Sequence, residues 1–120
     1  MPLYSKSIQE KFYVDDGIRI CIMRKPGTHT SWDIWMPTLA PSLELLESYQ
    51  NEIIDWAEYE KRFNNEVIQV SQEHIKLLAD MAKNFTITIL CWEKTPEQCH
   101  RRLIAQDVSR MDVRLKVVIK

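Results

Sequence analysis

Glycine and proline are scarce in this chain, with two glycines and five prolines among 120 residues. Long flexible linkers and low-complexity tails are rich in such residues, so this composition argues against them. Hydrophobic residues make up 45% of the chain and charged residues 28%, which is typical of a globular domain and unlike a disordered chain. We therefore predict a single domain over residues 1–120, long enough to bury one hydrophobic core.

The sequence has no excess of either charge, because 16 Lys and Arg residues stand against 17 Asp and Glu residues, a net charge of −1. Proteins that depend on non-specific contact with nucleic acid or anionic membranes are normally basic. Nucleic acid is therefore a disfavoured partner, and its binding would require a local basic patch. No apolar run reaches the roughly 20 residues that span a bilayer, and the first residues lack a signal-peptide core. We therefore expect a cytoplasmic protein without membrane contact.

Cysteine occurs only as Cys21, Cys91 and Cys99. An odd number of cysteines in a chain without export signals predicts free thiols and not a disulfide framework. The three thiols are therefore available either for burial as small apolar side chains or for chemistry.

The hydrophobic pattern mixes strands with helices. Strand patterns lie at residues 3–8, 18–24, 85–92 and 113–120, and a long irregular connection spans residues 25–41. Helix starts are predicted at Ser42, Asp55, Ser71 and Thr95, and the last of these is followed by Pro96. The pattern predicts an α/β domain with a small mixed or mostly parallel sheet flanked by helices, and with a carboxy-terminal edge strand.

Residues 87–101 hold the densest group of reactive side chains in the chain, which are Cys91, Glu93, Lys94, Cys99, His100 and Arg101. In open α/β sheets, ligands bind beyond the carboxyl ends of the strands. If the strands that end near Arg24 and Cys91 are parallel and adjacent, Arg24 meets this segment. A helix capped by Thr95 would then direct its positive amino end at an anion. We therefore predict an anion or nucleotide-like ligand site at residues 91–101, with a phosphorylated small molecule or nucleotide as ligand.

Helical spacing turns His100 toward the sheet from the second turn of that helix. There it is either a general base or a satisfied half-buried histidine. Cys91 lies where a helix amino terminus would activate a nucleophile, although burial explains both nearby cysteines as well. Glu93 is either an acid at the mouth of the site or part of a solvated loop. The catalytic candidates are thus His100, Glu93 and Cys91.

Cys91, Cys99 and His100 could also supply three zinc ligands. This spacing is not a recognised zinc motif, however, and adjacent residues of a helix diverge by about 100°. We therefore predict no metal site and no cofactor.

The chain also resembles the YeaO-like branch of the family called domain of unknown function 488, over about residues 3–110. The matching residues are Asp16-Gly17-Ile18-Arg19-Ile20 with Arg24, Asp33 and Trp35, Leu39-Ala40-Pro41-Ser42, Trp56 and Tyr59, Leu78-Ala79, and Leu90-Cys91-x-Glu93-Lys94 with Cys99-His100-Arg101. The resemblance implies a compact intracellular α/β domain of bacterial or archaeal type, but no reaction. It points to Arg24, Asp33, Trp35 and Arg101 as ligand-binding residues beside the three catalytic candidates.

Two departures from the family pattern bear on the site. After the strand arginine, the YeaO-like pattern continues with an apolar residue and Trp-Pro-Arg-Gly, whereas residues 25–29 here read Lys-Pro-Gly-Thr-His. This removes a basic and aromatic contribution to the mouth of the site. Relatives can also lack the cysteines, which implies that neither zinc nor a thiol nucleophile is obligatory in the family.

The sequence leaves two classes of function open. One is an enzyme that acts on a phosphorylated or nucleotide-like small molecule, with His100 as acid or base and arginines that bind the anion. The alternative is a non-catalytic binding or regulatory module for nucleic acid or a protein partner, which the small size of the chain favours. The oligomeric state is not predicted.

Overall fold

The structure is a computed structural model that describes residues 2–28 and 31–120. The strands are β1 (Leu3–Ser7), β2 (Ile18–Cys21), β3 (Ile34–Trp35), β4 (Ile87–Cys91) and β5 (Val117–Ile119). The helices are α1 (Leu43–Gln50), α2 (Trp56–Phe63), α3 (Gln72–Asn84) and α4 (His100–Met111). Short 3₁₀ turns cover Val14–Asp16 and Pro37–Leu39, and a π-helical turn at Asn64–Ile68 extends α2.

The strands form one sheet in the order β3-β2-β4-β1-β5, and every pairing between the described strands is parallel. The predicted α/β class is therefore confirmed, and so is the carboxy-terminal edge strand. The adjacency of β2 and β4, which the ligand-site prediction required, is also present, with Ile18 opposite Ile87 and Cys21 opposite Leu90. Their carboxyl ends lie side by side at one edge of the sheet.

The helices pack on one face of the sheet. Residues from α1 to α4 share one buried core with Leu3, Ile20, Ile87 and Ile89, which are alternate residues of three neighbouring strands and so point to the same face. The opposite face holds Cys21 and Leu90, which pack against Ile8 and Trp32 from the two connections that flank β2. The fold is a two-layer domain whose second sheet face is covered by loops.

The helix starts follow the capping residues that the sequence indicated. The Ser42 side chain accepts a hydrogen bond from the Leu45 amide at 3.1 Å, and the Asp55 side chain accepts one from the Glu58 amide at 2.9 Å. Ser71 precedes α3 but makes no such cap bond. Within the described ranges, no helix is both long and apolar enough to cross a bilayer.

Two predictions about the connections are wrong. The connection at residues 25–41 is not irregular throughout, because β3 pairs with β2 there; His29 and Thr30 within it lie outside the described residues. The fourth helix begins at His100 and not at Thr95. The Glu97 carbonyl accepts hydrogen bonds from the Arg102 guanidinium at 3.1 and 2.8 Å. In a helix that began at Thr95, a backbone amide would be the donor to this carbonyl instead.

Candidate functional site

A cleft of about 1200 Å³ opens at the carboxyl ends of β2 and β4. One wall comes from α1, the turn after it, and the first residues of α2; the other comes from the segments that follow β2 and β4. Among its lining residues, Cys91, Cys99 and His100 are nearly inaccessible, at 4%, 2% and 6% exposure. These three side chains form the buried inner end of the cleft, which we call the thiol–imidazole centre.

The Sγ atoms of Cys91 and Cys99 and a ring nitrogen of His100 lie within 4.8 Å of one another. The Cys91 Sγ atom is 3.4 Å from Nδ1 of His100 and 3.7 Å from its Nε2. The imidazole packs against the Phe63 ring, with 5.5 Å between ring centroids. Cys91 ends β4 and His100 begins α4, so two rigid elements hold the centre together.

The hydrogen bond to Ile22 determines the tautomer of His100. The Nε2 atom lies 2.7 Å from the Ile22 carbonyl oxygen, and a carbonyl only accepts, so Nε2 carries the proton and donates it. In the neutral ring, Nδ1 therefore keeps its lone pair, on the side nearer to Cys91. The prediction that His100 faces the sheet holds, although it does so from the first residue of α4 and not from the second turn.

The late start of α4 explains why Cys99 joins the centre. Cys99 is the residue before the helix, with an extended backbone at φ −138° and ψ 140°. The divergence of about 100° between adjacent side chains applies only within a helix, so it does not separate Cys99 from His100. The argument that spacing keeps these two side chains apart is therefore wrong.

Burial and mutual contact perturb the ionisable groups of the cleft. Burial raises the pKa of the Cys91 thiol, while hydrogen bonding to that thiol, and to His100, lowers the pKa of Cys99. Burial also raises the pKa of the Tyr59 hydroxyl and of the Glu93 carboxyl, with a further contribution from the neighbouring cysteines. Perturbed groups that converge in a cleft are typical of functional sites.

Aromatic rings form the helical wall of the cleft. Trp56 stacks on Tyr59 with 5.0 Å between centroids and 22° between planes, and Tyr49 meets Trp56 edge-on at 5.7 Å. The Tyr49 hydroxyl donates to Gln98 at 2.9 Å, which joins α1 to the segment before α4. The site residues predicted from the sequence did not include Tyr49, Trp56 or Gln98. Trp56 is partly exposed to the cleft, whereas Tyr59 is buried.

The two predicted ligand-binding arginines are bonded to backbone carbonyls. Arg24 lines the cleft, and its Nε donates to Pro41 at 2.8 Å, with further bonds from Nη2 to the carbonyls of residues 37 and 40. Arg101 is fully buried outside the cleft lining and donates to the carbonyls of Glu93 at 2.8 Å and Lys120 at 3.0 Å. Both side chains hold loops in place around the cleft.

Asp33 and Trp35 lie on the β3 side of the sheet and do not line the cleft. The Asp33 carboxylate accepts a hydrogen bond from the Arg19 amide at 2.8 Å, which continues the β2–β3 pairing. The Trp35 indole donates to the Met23 carbonyl at 2.8 Å. Of the predicted site residues, the fold therefore brings Cys91, Glu93, His100 and Arg24 to one cleft, and it leaves Asp33, Trp35 and Arg101 outside its lining.

The charged residues of the cleft are mainly acidic. Among the described residues that line the cleft, four carboxylates stand against two cations, a formal balance of −2, from Glu47, Glu52, Asp55 and Glu93 against Arg24 and Lys25. A concave surface with a net negative charge disfavours anionic ligands. The cleft therefore favours neutral or cationic ligands over polyanions.

The chain matches the model of a known family over residues 3–112, under the description DUF488-N3a, active DUF488-N3 subclade. It belongs to this family. It is also 30% identical over 110 residues to the uncharacterized protein YeaO of Escherichia coli strain K12, across 88% of this chain and 95% of that protein. No solved structure matches significantly. The resemblance to the YeaO-like proteins is thus confirmed.

We predict that Arg101→Lys destabilises the protein by about 1–3 kcal/mol, because the Arg101 side chain is fully buried and a lysine ammonium cannot donate to both the Glu93 and the Lys120 carbonyls as the planar guanidinium does. Urea unfolding measures the change. Arg114→Lys is the control, since this side chain is 86% exposed and a surface change costs within about 0.5 kcal/mol. Unchanged stability together with lost ligand binding would instead support the role of Arg101 in ligand binding that the sequence predicted.

Proposed function

We propose that this protein is an enzyme that binds a small ligand with a flat, nucleoside-like ring in the cleft and acts on it at the thiol–imidazole centre. The observation that carries this proposal is the convergence of Cys91, Cys99 and His100 at the buried end of a cleft with an aromatic wall. A concave site in which several polar and ionisable groups converge is a usual setting for small-molecule binding and catalysis.

The aromatic wall supports a flat ring as the recognised group. Tyr49 and Trp56 are partly exposed and line the cleft, and ring stacking on such faces tolerates different bases. A phosphate on the ligand would meet Arg24 and Lys25, but three bonds to carbonyls occupy the Arg24 guanidinium and the acidic residues of the cleft outnumber these two cations. A nucleoside or free base therefore fits the cleft better than a nucleotide.

The centre has the groups that proton transfer needs. In the neutral ring, Nδ1 of His100 faces the Cys91 thiol at 3.4 Å as a hydrogen-bond acceptor, while the Ile22 carbonyl fixes the ring orientation. This arrangement suits an oriented imidazole that acts as a general base toward the thiol. Glu93 at the mouth of the cleft is a candidate for the second proton carrier. The family description as an active subclade is consistent with catalysis.

The alternative is a non-catalytic binding or regulatory module for nucleic acid or a protein partner. It differs from the enzyme in one measurable respect, because its ligand is released unchanged. Salt-dependent binding to DNA or RNA would support the nucleic-acid version. Flat titrations at low salt would count against it.

Thermal-shift screening against free bases, nucleosides and their monophosphates tests the proposal. We expect at least one base or nucleoside to raise the melting temperature, because a ligand that binds only the folded state stabilises it. We expect Trp56→Ala to remove the shift through loss of the stacking face. The ligand identified in this way is then incubated with wild type and with His100→Gln, and mass spectrometry shows whether each protein converts it to a product.

Trp35→Ala is the matched control, since Trp35 is also partly exposed but lies outside the cleft lining. It should keep the ligand-induced shift. Loss of the shift in Trp35→Ala with retention in Trp56→Ala would move the ligand to the β3 side of the sheet and contradict the proposal. A ligand that binds but is recovered unchanged would favour the non-catalytic module.

A further inference from the structure

We propose that Cys91, Cys99 and His100 bind one zinc ion, with the fourth coordination position open to the cleft. This inference rests on the proposed function in one respect, since it assigns a metal to the same reactive centre. With zinc bound, Nδ1 of His100 would be a ligand and not a base, and Glu93 would be the remaining proton carrier of the cleft. It is carried by the geometry and chemistry of the three side chains and does not depend on the identity of the ligand in the cleft.

The separation of the ligand atoms suits a tetrahedral ion. With Zn–S near 2.3 Å and Zn–N near 2.0–2.1 Å, tetrahedral angles require about 3.5 Å between a sulfur and a nitrogen and about 3.8 Å between two sulfurs. Sγ of Cys91 lies 3.4 Å from Nδ1 of His100, and all three ligand atoms fall within 4.8 Å. An ion can therefore be accommodated by small side-chain adjustments, without backbone movement.

His100 has the outer contact that is typical of a zinc ligand. Metal-bound imidazoles usually donate their other N–H to a carbonyl or carboxylate, which sets the ring orientation and tautomer. Here Nε2 donates to the Ile22 carbonyl at 2.7 Å, so Nδ1 is the free ligand atom. Because Sγ of Cys91 is also only 3.7 Å from Nε2, the ring must turn slightly to direct the Nδ1 lone pair at the ion.

The donor set selects zinc over the hard cations. Two thiolates and an imidazole are soft or borderline ligands, which magnesium and calcium bind poorly. Zinc binding replaces the thiol protons, so up to two protons are released for each ion. The two negative charges of the thiolates then balance the two positive charges of the ion, so the buried complex has no net charge.

Three protein ligands with one free position distinguish catalytic zinc sites from closed structural ones. All three side chains line the cleft, so the free position faces the space that the proposed ligand would occupy. A bound water at that position would be the group that the metal activates, and Glu93 lines the same cleft. A small molecule bound against the aromatic wall would thus lie next to the zinc ion.

Metal content and cobalt substitution test the inference on the full chain. Protein purified without chelators should contain close to one zinc per chain. Protein stripped of metal and titrated with Co²⁺ should gain the near-ultraviolet absorption of thiolate-to-cobalt charge transfer, saturating at one equivalent. Cys91→Ser, Cys99→Ser and His100→Gln should each weaken zinc binding at least about 100-fold, since even outer-contact changes cost about 10–100-fold.

Cys21→Ser is the matched control, because Cys21 is a buried cysteine on the opposite face of the sheet. It should retain stoichiometric zinc and the cobalt spectrum. Wild type without stoichiometric zinc, or Cys99→Ser with wild-type affinity, would overturn the inference. Circular dichroism of each metal-free variant identifies a folding failure, and the wild-type cobalt spectrum decides the question without any variant.

The zinc inference and the proposed function fail separately. If a base or nucleoside binds the metal-free protein and Trp56→Ala abolishes this binding, the ligand site is supported, whatever the metal content. Stoichiometric zinc without any ring ligand supports the metal site alone and counts against the proposed ligand class.

Discussion

Replacement of Gly17 by alanine is expected to destabilise the protein by about 3–5 kcal/mol. Gly17 has φ +67°, and a Cβ atom there would lie 2.1 Å from the Thr86 carbonyl oxygen. That same oxygen accepts the hydrogen bond from the Ile18 amide at 3.0 Å, at the start of the β2–β4 pairing. Alanine must therefore push apart the two strands whose carboxyl ends carry the cleft. Urea unfolding measures the loss.

Gly27→Ala is the matched control for this change. Gly27 also has a positive φ, +61°, but nothing lies within 4 Å of its virtual Cβ. It should cost only the backbone term of about 1–2 kcal/mol. Equal losses in the two variants would show that the left-handed backbone alone determines the effect. Because the carbonyl of Ile22, the residue that follows β2, accepts the hydrogen bond from His100, we also expect Gly17→Ala to weaken zinc binding.

Asp16→Asn is expected to cost about 3–5 kcal/mol, because removal of one partner leaves buried charge without compensation. The Asp16 carboxylate bonds Lys6 Nζ at 3.0 and 3.1 Å and also pairs with the Arg19 guanidinium. All three side chains are at most 7% exposed. Asparagine would leave two cations beneath the β1–β2 connection. Urea unfolding at neutral pH measures this change.

Lys6→Met is the matched comparison for the Asp16 change. It leaves one cation and one carboxylate as a neutral pair, so it should cost less than Asp16→Asn. A greater loss in Lys6→Met than in Asp16→Asn would contradict the view that Asp16 is the essential counter-charge of the cluster.

The Asp16 carboxylate also makes the stability of the protein depend on pH. Burial would raise the pKa of Asp16, but hydrogen bonds from Lys6, the Tyr13 amide and Arg19 outweigh it and lower the pKa below its usual value. A lowered folded-state pKa stabilises the protein above the unfolded-state value of about 3.9, and this contribution is lost as the pH falls through the folded-state pKa. We expect the stability difference between wild type and Asp16→Asn to shrink below about pH 4. A constant difference down to pH 2 would contradict this.

Local patterns predicted much of the fold. Alternating and apolar runs placed four of the five described strands, and the patterns at Ser42, Asp55 and Ser71 placed three helix starts. The β3 strand escaped prediction because it has only two residues and a single strand partner. The start of α4 was misplaced because Thr95-Pro96 satisfies the local rules for a helix start, while the Arg102 guanidinium satisfies the Glu97 carbonyl instead.

The sequence by itself determined the family, the α/β class and the segment that carries the reactive side chains, because periodicity and motif spacing are properties of neighbouring residues. Only the tertiary structure decided which side chains share the cleft. It joined Cys99 to His100 by placing Cys99 outside the helix, and it brought Tyr49 and Trp56 to the opposite wall. In the tertiary structure, Arg24 and Arg101 also donate hydrogen bonds to the carbonyls of Pro41 and Lys120, which lie in other segments of the chain. The partners of a buried polar group come from wherever the chain folds back, and no local pattern records them.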